Sequence, residues 1–298
     1  MITVAAARDP RRSASGSTVC PTLYVGFMKR ALFVPNFGDF AEPRAFADLA
    51  AEAEAAEWDG LYIWDHILIE DGTPISDPWV AMAAAAMVTE RIRLGPMVTP
   101  IPRRHPWKLA RELVSLDRLT GGRVDFGVGI GYPPDTEFGT FGHETDARVR
   151  ADKLDEGLDV ITGIWTGQPF SHHGEHYHLE QSTFLPVPIQ QPRIPIWVAA
   201  TWPNRRPFRR AARWDGVFPL LVDGDGFGQM SYDDIAAMAE YTASHRAGDG
   251  PFDFIIGSND SEDRSVEDLE ELGATWMIFN FYDAGAETMA KVRSGPWR

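Results

Sequence analysis

The sequence predicts an α/β protein folded as a single (β/α)8 TIM barrel, with an insertion between the fourth helix and the fifth strand. Short runs of β-branched and aromatic residues alternate with longer amphipathic runs along most of the chain. This alternation indicates strand–helix units, and such units require parallel strands. We count eight units, and eight in roughly 270 residues favour one barrel rather than two domains.

The predicted strands are short runs rich in Val, Ile, Leu, Phe and Trp. Residues of these types favour extended chain, and Gly, Pro, Asn or Asp commonly marks the end of such a run. In chain order, the strands are predicted at residues 32–34, 60–64, 92–98, 124–128, 194–199, 216–221, 252–257 and 275–280.

A run with helical periodicity follows each predicted strand. In the first of them, Pro43 suits the opening turn, and Phe46, Leu49 and Ala50 recur at helical spacing. Two glycines from Gly121 onward suit the end of the third helix. The helices are predicted at residues 43–57, 77–88, 107–119, 147–165, 204–213, 232–246, 266–272 and 284–292.

Two segments depart from this alternation. Residues 1–27 are rich in Ala, Arg and Ser without a periodic pattern, which predicts a disordered extension before a barrel domain at 28–298. Residues 166–193 are rich in Pro, His and Gln, and a hairpin is expected around Gly174. We expect this insertion to lie over the barrel as a lid.

Charge and cysteine content limit the partners of this chain. Its 28 Lys+Arg and 43 Asp+Glu give a net charge of −15, which argues against nucleic acid as a partner. A single cysteine, Cys20, rules out a disulfide framework and a Cys-ligated zinc site, and it suits a reducing cytoplasm. No apolar run approaches the roughly 20 residues that span a bilayer. We therefore expect a cytoplasmic protein that acts on a small molecule.

The candidate chemistry lies where predicted strands end, because the active site of such a barrel is at the C-terminal ends of its strands. Asp65 and His66 follow the second strand. A carboxylate and an imidazole there can serve as general acid or base, ligate a metal, or merely cap loop amides. The chain has 10 Trp, 17 Phe and 7 Tyr, and four aromatic residues at strand ends are predicted to wall a pocket for a flat ligand: Phe37, Trp64, Tyr132 and Trp202.

Small residues follow the fourth and fifth strands. The glycines at 127, 129 and 131 do not form a dinucleotide loop, because Tyr132 and two prolines follow where a helix should begin. These glycines allow close approach of a ring or phosphate, or simply a tight strand exit. Ala199, Ala200 and Thr201 precede a helix and can offer backbone N–H groups to an anion. The arginines after them are interpreted mainly as a solvated helix face.

Other polar groups are given structural interpretations. His172, His173, His176 and His178 lie close together, but no nearby cysteine completes a tetrahedral set, so we predict no metal and interpret them as a hairpin edge. The charged stretch from Glu137 to residue 156 is interpreted as a solvated, ion-paired face. The chain has no P-loop, no G-x-S-x-G and no H-E-x-x-H motif.

Several segments, in the same order, resemble the bacterial-luciferase-like monooxygenases, including relatives that use the 5-deazaflavin coenzyme F-420. The resemblance covers roughly residue 28 to the C-terminus and is densest before residue 220. The first matching segment is 53–60, which is followed by Trp64-Asp65-His66. The others are 91–99, 116–123, 127–131, 137–138, 141–142, 155–165 and 195–198.

The resemblance implies a flavin-class cofactor site and assigns residues to it. In deazaflavin-using relatives, the pair matching Asp65 and His66 lies against the cofactor, and the third strand often ends in a non-prolyl cis peptide, here between Met97 and Val98. The cofactor-binding positions implied or proposed on this basis are Asp65, His66, Met97, Val98, Thr99, Gly129, Gly131, Ala199, Ala200 and Thr201. Deazaflavin sugar-phosphate dehydrogenases carry a glutamate where this chain has Tyr132, so that activity is not implied.

The resemblance favours a flavin-class oxidoreductase that uses reduced FMN with oxygen, or hydride transfer with coenzyme F-420, and the Trp-Asp-His sequence tilts toward F-420. His66 and Asp65 are the expected catalytic residues: His66 would transfer a proton, and Asp65 would contact the ring or orient the imidazole. A non-catalytic flavin-binding barrel and, less favoured, a metal-dependent hydrolase remain as alternatives. Barrels of this family often pair through the helices after strands two and three, so a homodimer is expected, and the Ala/Met-rich helix at 77–88 suits such a contact.

Overall fold

The computed structural model describes residues 28–70, 72–223, 226–259 and 265–296, and the predicted disordered extension at 1–27 lies outside the described residues. Within them, strands and helices alternate in the predicted order. The predicted α/β class and eight-unit barrel are confirmed.

The barrel is one sheet of parallel strands. The strands in chain order are β1 (Lys29–Val34), β2 (Gly60–Ile63), β3 (Arg93–Pro96), β4 (Thr99–Pro100), β5 (Phe126–Gly129), β6 (Phe170–His173), β7 (His178–Ser182), β8 (Ile196–Trp202), β9 (Gly216–Asp223), β10 (Gly226–Gly228), β11 (Asp253–Asn259) and β12 (Trp276–Asn280). Nine of these strands form the parallel barrel, in the order β3-β2-β1-β12-β11-β9-β8-β5-β4, and β4 continues β3. Outside it, β10 pairs antiparallel with β9, and β6 and β7 form a separate antiparallel hairpin. The sheet closes because Leu94 of β3 exchanges backbone hydrogen bonds of 2.9 and 3.0 Å with Arg123 and Asp125 ahead of β5.

Helices cover the outside of the sheet. They are α1 (Pro43–Ala55), α2 (Pro78–Ala86), α3 (Pro106–Thr120), α4 (Pro134–Glu137), α5 (Ala147–Trp165), α6 (Arg205–Ala211), α7 (Tyr232–Ala243), α8 (Val266–Glu271) and α9 (Ala286–Arg293). The bounds of α5 equal the prediction, whereas the short α4 was not predicted. Among the described helices, none combines the length and apolar character that crossing a membrane requires.

The N-terminal end of the barrel is filled by aromatic rings that are hydrogen-bonded to two acids. Tyr62, Trp197 and Trp276 pack against one another with ring centroids 5.3 to 5.8 Å apart. The Tyr62 hydroxyl donates to Asp125 at 2.9 Å, and the Trp197 indole donates to Asp253 at 3.1 Å. These rings close the N-terminal end of the barrel, so its mouth is at the C-terminal ends of the strands.

The segment at 166–193 lies beside the barrel, not over the mouth as the sequence predicts. Its β6–β7 hairpin is held by Glu156 of α5, and the chain beyond the hairpin bonds to α3 through Asp117. Gln190 then reaches Arg93 at the start of β3. This position follows from connectivity, because a helix-to-strand connection leaves from the N-terminal end of the barrel while the mouth is at the other end.

Candidate active site at the barrel mouth

An aromatic cluster surrounds Trp64 at the C-terminal ends of β12, β1 and β2. Its ring centroid lies 5.6 Å from Phe33, 5.7 Å from Phe37, 5.6 Å from His66 and 6.0 Å from Tyr282. The indole N–H of Trp64 is buried and has no hydrogen-bond partner among the described residues. The Trp64 cluster is therefore an apolar surface that contains an uncommitted donor.

Asp65 anchors this end of the barrel. Its carboxylate is completely buried and accepts hydrogen bonds from Thr99 at 2.8 Å, Arg103 at 2.5 Å and Arg104 at 2.8 Å. All three donors lie in the chain after β3, so Asp65 joins the ends of the second and third strands. Since no part of the side chain is exposed, the predicted role of contacting a cofactor ring does not fit this geometry.

Glu137, at the end of α4, is a second buried acid that contacts the site. Its carboxylate forms an ion pair with Arg103, and it accepts backbone N–H groups from Ile67 at 3.1 Å and Leu68 at 3.2 Å. One of its oxygens lies 3.0 Å from Nδ1 of His66. The side chain is 1% exposed, so its interpretation as part of a solvated face is wrong. Glu137, rather than Asp65, orients the imidazole.

The ring of His66 is held as a neutral imidazole. Burial, which has the largest effect, and the positive charge of Arg103 together lower its pKa to about 4, although the negative charge of Asp65 opposes them. The charge of Glu137 is balanced by its ion pair with Arg103. A neutral ring beside a carboxylate donates from Nδ1, which leaves the Nε2 lone pair as the acceptor. The backbone of His66 is fixed as well, because its carbonyl oxygen accepts a 2.8 Å hydrogen bond from Asn36.

Sequence reasoning missed Asn36, Arg103, Arg104 and Glu137. The position of the two arginines could have indicated them, because they follow the third strand closely and the active site of such a barrel is at the strand ends. Glu137 offered little signal, since it stands among other charged residues and its helix is four residues long.

The end of the third strand has the geometry that the resemblance implies. The Met97–Val98 peptide bond is cis. Val98 packs close to Gly129, where an added Cβ would lie 2.7 Å from a Val98 methyl. At Gly131, with φ of +83°, an added Cβ would lie 2.6 Å from the Phe138 ring. Protein side chains thus occupy the space beside these two glycines.

The fifth barrel strand is longer than predicted. β8 continues to Trp202, and Ala200 and Thr201 pair with Pro219 and Leu220 of β9. The predicted anion-binding turn at 199–201 is therefore part of the strand. Thr and Trp favour extended chain, and the following helix begins only at Arg205. Ala199 packs against the barrel-interior cluster that contains Phe33, whereas Ala200 is fully buried among the outward-facing core residues.

Trp202 packs on α6 and not on the Trp64 cluster. The Trp202 ring packs on Phe208 of α6 at 5.3 Å, and the Arg205 guanidinium stacks over it at 3.7 Å. Tyr132 is 52% exposed. Phe37 and Trp64 are therefore the predicted aromatic residues that the structure brings together.

The arginines of α6 form ion pairs with a neighbouring helix, so they are more than a solvated helix face. Arg210 is buried and pairs with Asp155 of α5 at 2.6 Å, while Arg206 pairs with Asp152 of the same helix. These ion pairs join α5 to α6 behind the end of β8.

Comparison with known proteins identifies the family. Residues 28–291 match the family model described as luciferase-like monooxygenase. An uncharacterized protein of Mycobacterium tuberculosis is 30% identical over 266 residues, covering 82% of this chain and 88% of that protein. A protein of Nakamurella multipartita named F-420-dependent glucose-6-phosphate dehydrogenase is 32% identical over 167 residues, covering 54% of this chain. The alignments with that protein and with a Sinorhizobium fredii relative cover about half the length of each.

Solved structures share the fold. An F-420-dependent secondary alcohol dehydrogenase, in complex with an F-420–acetone adduct, has a TM-score of 0.72 at 14% identity over 90% of this chain and 98% of that chain. The oxygenating constituent of 3,6-diketocamphane monooxygenase from Pseudomonas putida, in complex with FMN, has a TM-score of 0.61 at 20% identity over 78% and 67%. With the family model matched along nearly the whole described chain, this protein belongs to the luciferase-like monooxygenase family.

Proposed function

We propose that this protein is an oxidoreductase that acts on a small organic substrate with coenzyme F-420 or reduced FMN bound at the barrel mouth. The observation that carries the proposal is the imidazole of His66, held with Nδ1 3.0 Å from Glu137 and its ring beside the aromatic surface around Trp64. Family membership supports the class of chemistry, since relatives and structural neighbours are named for coenzyme F-420 or contain FMN.

The residues at the mouth fit a flat ring system. Trp64, Val98 and Ala199 are partly buried and pack on the apolar interior cluster, so they offer a surface for the face of a ring. The unpartnered indole N–H of Trp64 suits an acceptor oxygen at a ring edge. When bound, either coenzyme supplies the hydride or electron chemistry that side chains lack. These residues would hold the ring.

The proposed role of His66 is to hold and move a proton at Nε2. Because Nδ1 faces Glu137, Nε2 is the nitrogen available to a substrate hydroxyl or a developing oxyanion. A proton taken there gives an imidazolium that Asp65 favours and that burial and Arg103 disfavour, so the proton is readily returned. Asp65 and Arg103 act as positioning residues, since both are buried and hold the chain on either side of the imidazole.

The two coenzymes are distinguished by the sequence at the second strand end. Trp64-Asp65-His66 favours F-420, as the resemblance implies. The non-catalytic alternative predicts cofactor binding without turnover. The hydrolase alternative is disfavoured because the two buried acids at the mouth, Asp65 and Glu137, are already paired with arginines rather than open to a metal.

The proposal is tested by titrating the protein with F-420 and FMN in oxidised and reduced forms while following fluorescence quenching. We expect one coenzyme to bind stoichiometrically and to turn over with a panel of alcohols, aldehydes, ketones and alkenes. Replacing His66 with Ala should lower kcat/KM by about 10²- to 10⁴-fold with coenzyme binding changed less than threefold. His245→Ala, an exposed change at the end of α7, is the control. Absence of binding by every form would refute the proposal, and binding without turnover would favour the non-catalytic alternative.

We also propose a homodimer formed through α2 and α3. Large apolar side chains on and beside these helices are 45 to 71% exposed: Val80 on α2, Met87 and Val88 just after its end, and Leu119 on α3. Beside them, a groove of about 480 Å³ runs between the helices and is lined by both apolar and charged residues. Large exposed side chains concentrated on one face favour a protein contact. Light scattering of the purified protein should give twice the chain mass, and Met87→Asp should shift it toward the monomer.

A further inference from the structure

A cluster of three metal-ligating side chains lies on the β6–β7 hairpin, apart from the barrel mouth. His173 and His178 are directly opposed in the hairpin register, and Glu180 follows two residues along β7. Alternate residues of a strand point to the same face, so the three side chains share one side of the hairpin. All three are exposed.

The ligand atoms of this cluster are already close together. Nδ1 of His173 lies 3.0 Å from Nδ1 of His178, and Nε2 of His178 lies 2.9 Å from a carboxylate oxygen of Glu180. One ligand atom from each side chain can be chosen so that all lie within 4.8 Å of one another. Ligand atoms around a tetrahedral zinc ion are about 3.4 Å apart, given zinc–ligand distances near 2.1 Å. Small rotations of exposed side chains suffice to reach that spacing.

The backbone that carries the two histidines is fixed. Glu156 of α5 accepts the backbone N–H groups of His176 at 2.9 Å and Tyr177 at 2.7 Å. The N–H of Gly174 also donates to the Tyr177 carbonyl at 3.0 Å, which closes the turn. The Tyr177 ring is buried and packs edge-on against Trp107. The hairpin tip is thereby tied to α5, and little chain ordering remains to be done when a ligand binds.

The sequence predicts no metal here, because no nearby cysteine completes a tetrahedral set of ligands. The observed register separates them into two sets. His172 turns to Glu156 at 3.0 Å, whereas His173 is paired with His178. It is this pairing that assembles a set of two imidazoles and one carboxylate.

We propose that His173, His178 and Glu180 bind one divalent transition-metal ion of the zinc class, outside the proposed active site. Two imidazoles and a carboxylate suit Zn²⁺, Ni²⁺ or Cu²⁺ rather than the hard cations Mg²⁺ and Ca²⁺, which prefer all-oxygen sites. Three protein ligands leave a position for water or for a side chain of another molecule. A bound ion bridges the two strands of the hairpin beside its turn and so holds that end closed.

The proposal is tested by isothermal titration of the full chain, without a histidine tag and freed of metal, with zinc chloride. We expect one equivalent of Zn²⁺ to bind, with no competition from a large excess of Mg²⁺. His178→Ala should weaken the binding by about tenfold or more, since it removes one of three ligands, and Glu180→Gln should weaken it by a smaller factor. His143→Ala, an exposed histidine outside the hairpin, is the matched control and should bind as the wild type does.

Two results would overturn the proposal. One is that the wild-type chain takes up no Zn²⁺ at millimolar concentration. The other is that it binds Zn²⁺ with equal affinity in the wild type and in the His178→Ala variant, which would place the ion elsewhere. Circular dichroism of each variant checks that it is folded, and loss of fold is not expected because the replaced side chains are exposed.

Discussion

Replacing Glu137 with glutamine tests whether the buried charges around His66 are as closely interdependent as their geometry indicates. The change keeps the shape of the side chain and removes one negative charge. In the native protein, that charge faces Arg103, whose side chain is only 4% exposed. The variant leaves this guanidinium buried with one acid, Asp65, where it had two.

The expected cost follows from burial. Removing one partner of a buried ion pair costs about 3 to 5 kcal/mol, because the remaining charge has lost both water and its counter-ion. Glutamine keeps a carbonyl oxygen that can still accept the N–H groups of Ile67 and Leu68, and Asp65 still balances part of the Arg103 charge. We therefore expect the lower end of the range, a loss of about 3 kcal/mol in the free energy of unfolding.

Urea unfolding followed by circular dichroism measures this loss, provided that the transition is two-state. The matched control is Glu112→Gln, which removes the acid of the exposed pair with Lys108 on α3. Surface pairs of this kind contribute about 0 to 1 kcal/mol, so the control should stay close to the wild type. If the two variants lose equal stability, the argument that the Glu137 network is a buried and interdependent unit is refuted.

Three further measurements follow from the same structure. Because the pKa of His66 is lowered, the contribution of its neutral ring to stability is complete above pH 6.5 and is lost as the pH falls toward 4. Between pH 8 and pH 5, the free energy of unfolding of the wild type should fall by about 2 kcal/mol more than that of His66→Asn. Equal losses would show that the ring is not held neutral. Gly131→Ala should cost about 2 kcal/mol in urea unfolding, since its Cβ meets the buried Phe138 ring at positive φ. Gly142→Ala, also at positive φ but with no atom within 4 Å of its Cβ, should cost less, and a reversed order would contradict the packing argument.

Much of the fold could be predicted because it depends on local pattern. The bounds of α5 were predicted to the residue, and the seven other long barrel helices begin and end within three residues of the prediction. The periodicity of apolar residues and the glycines that end helices depend only on residues close together in the chain, so the sequence is enough to predict them. The end of β8 was placed three residues too early because small residues at 199 and 200 were interpreted as a turn, although their pairing with β9 makes them strand.

The site was only partly predictable because its members come from separate strand ends. The sequence identified His66 and the aromatic pair of Phe37 and Trp64, whose positions after strands mark them as residues of the mouth. It did not identify the partners that fix His66 and Asp65. Arg103 joins both acids only once the third strand lies beside the second and α4 folds back over them.

The sequence by itself determined the fold class, the order of the strand–helix units and the end of the barrel at which chemistry is to be sought. Each of these depends on alternation, spacing and the direction of parallel strands. Tertiary structure alone decided which acid serves which base, since Glu137 is 71 residues from His66 along the chain and yet 3.0 Å from its ring. It also decided that residues 166–193 lie beside the barrel and bring His173 opposite His178. The reason is physical: charge pairing and strand register are set by distances between chain segments, and local residue patterns do not encode those distances.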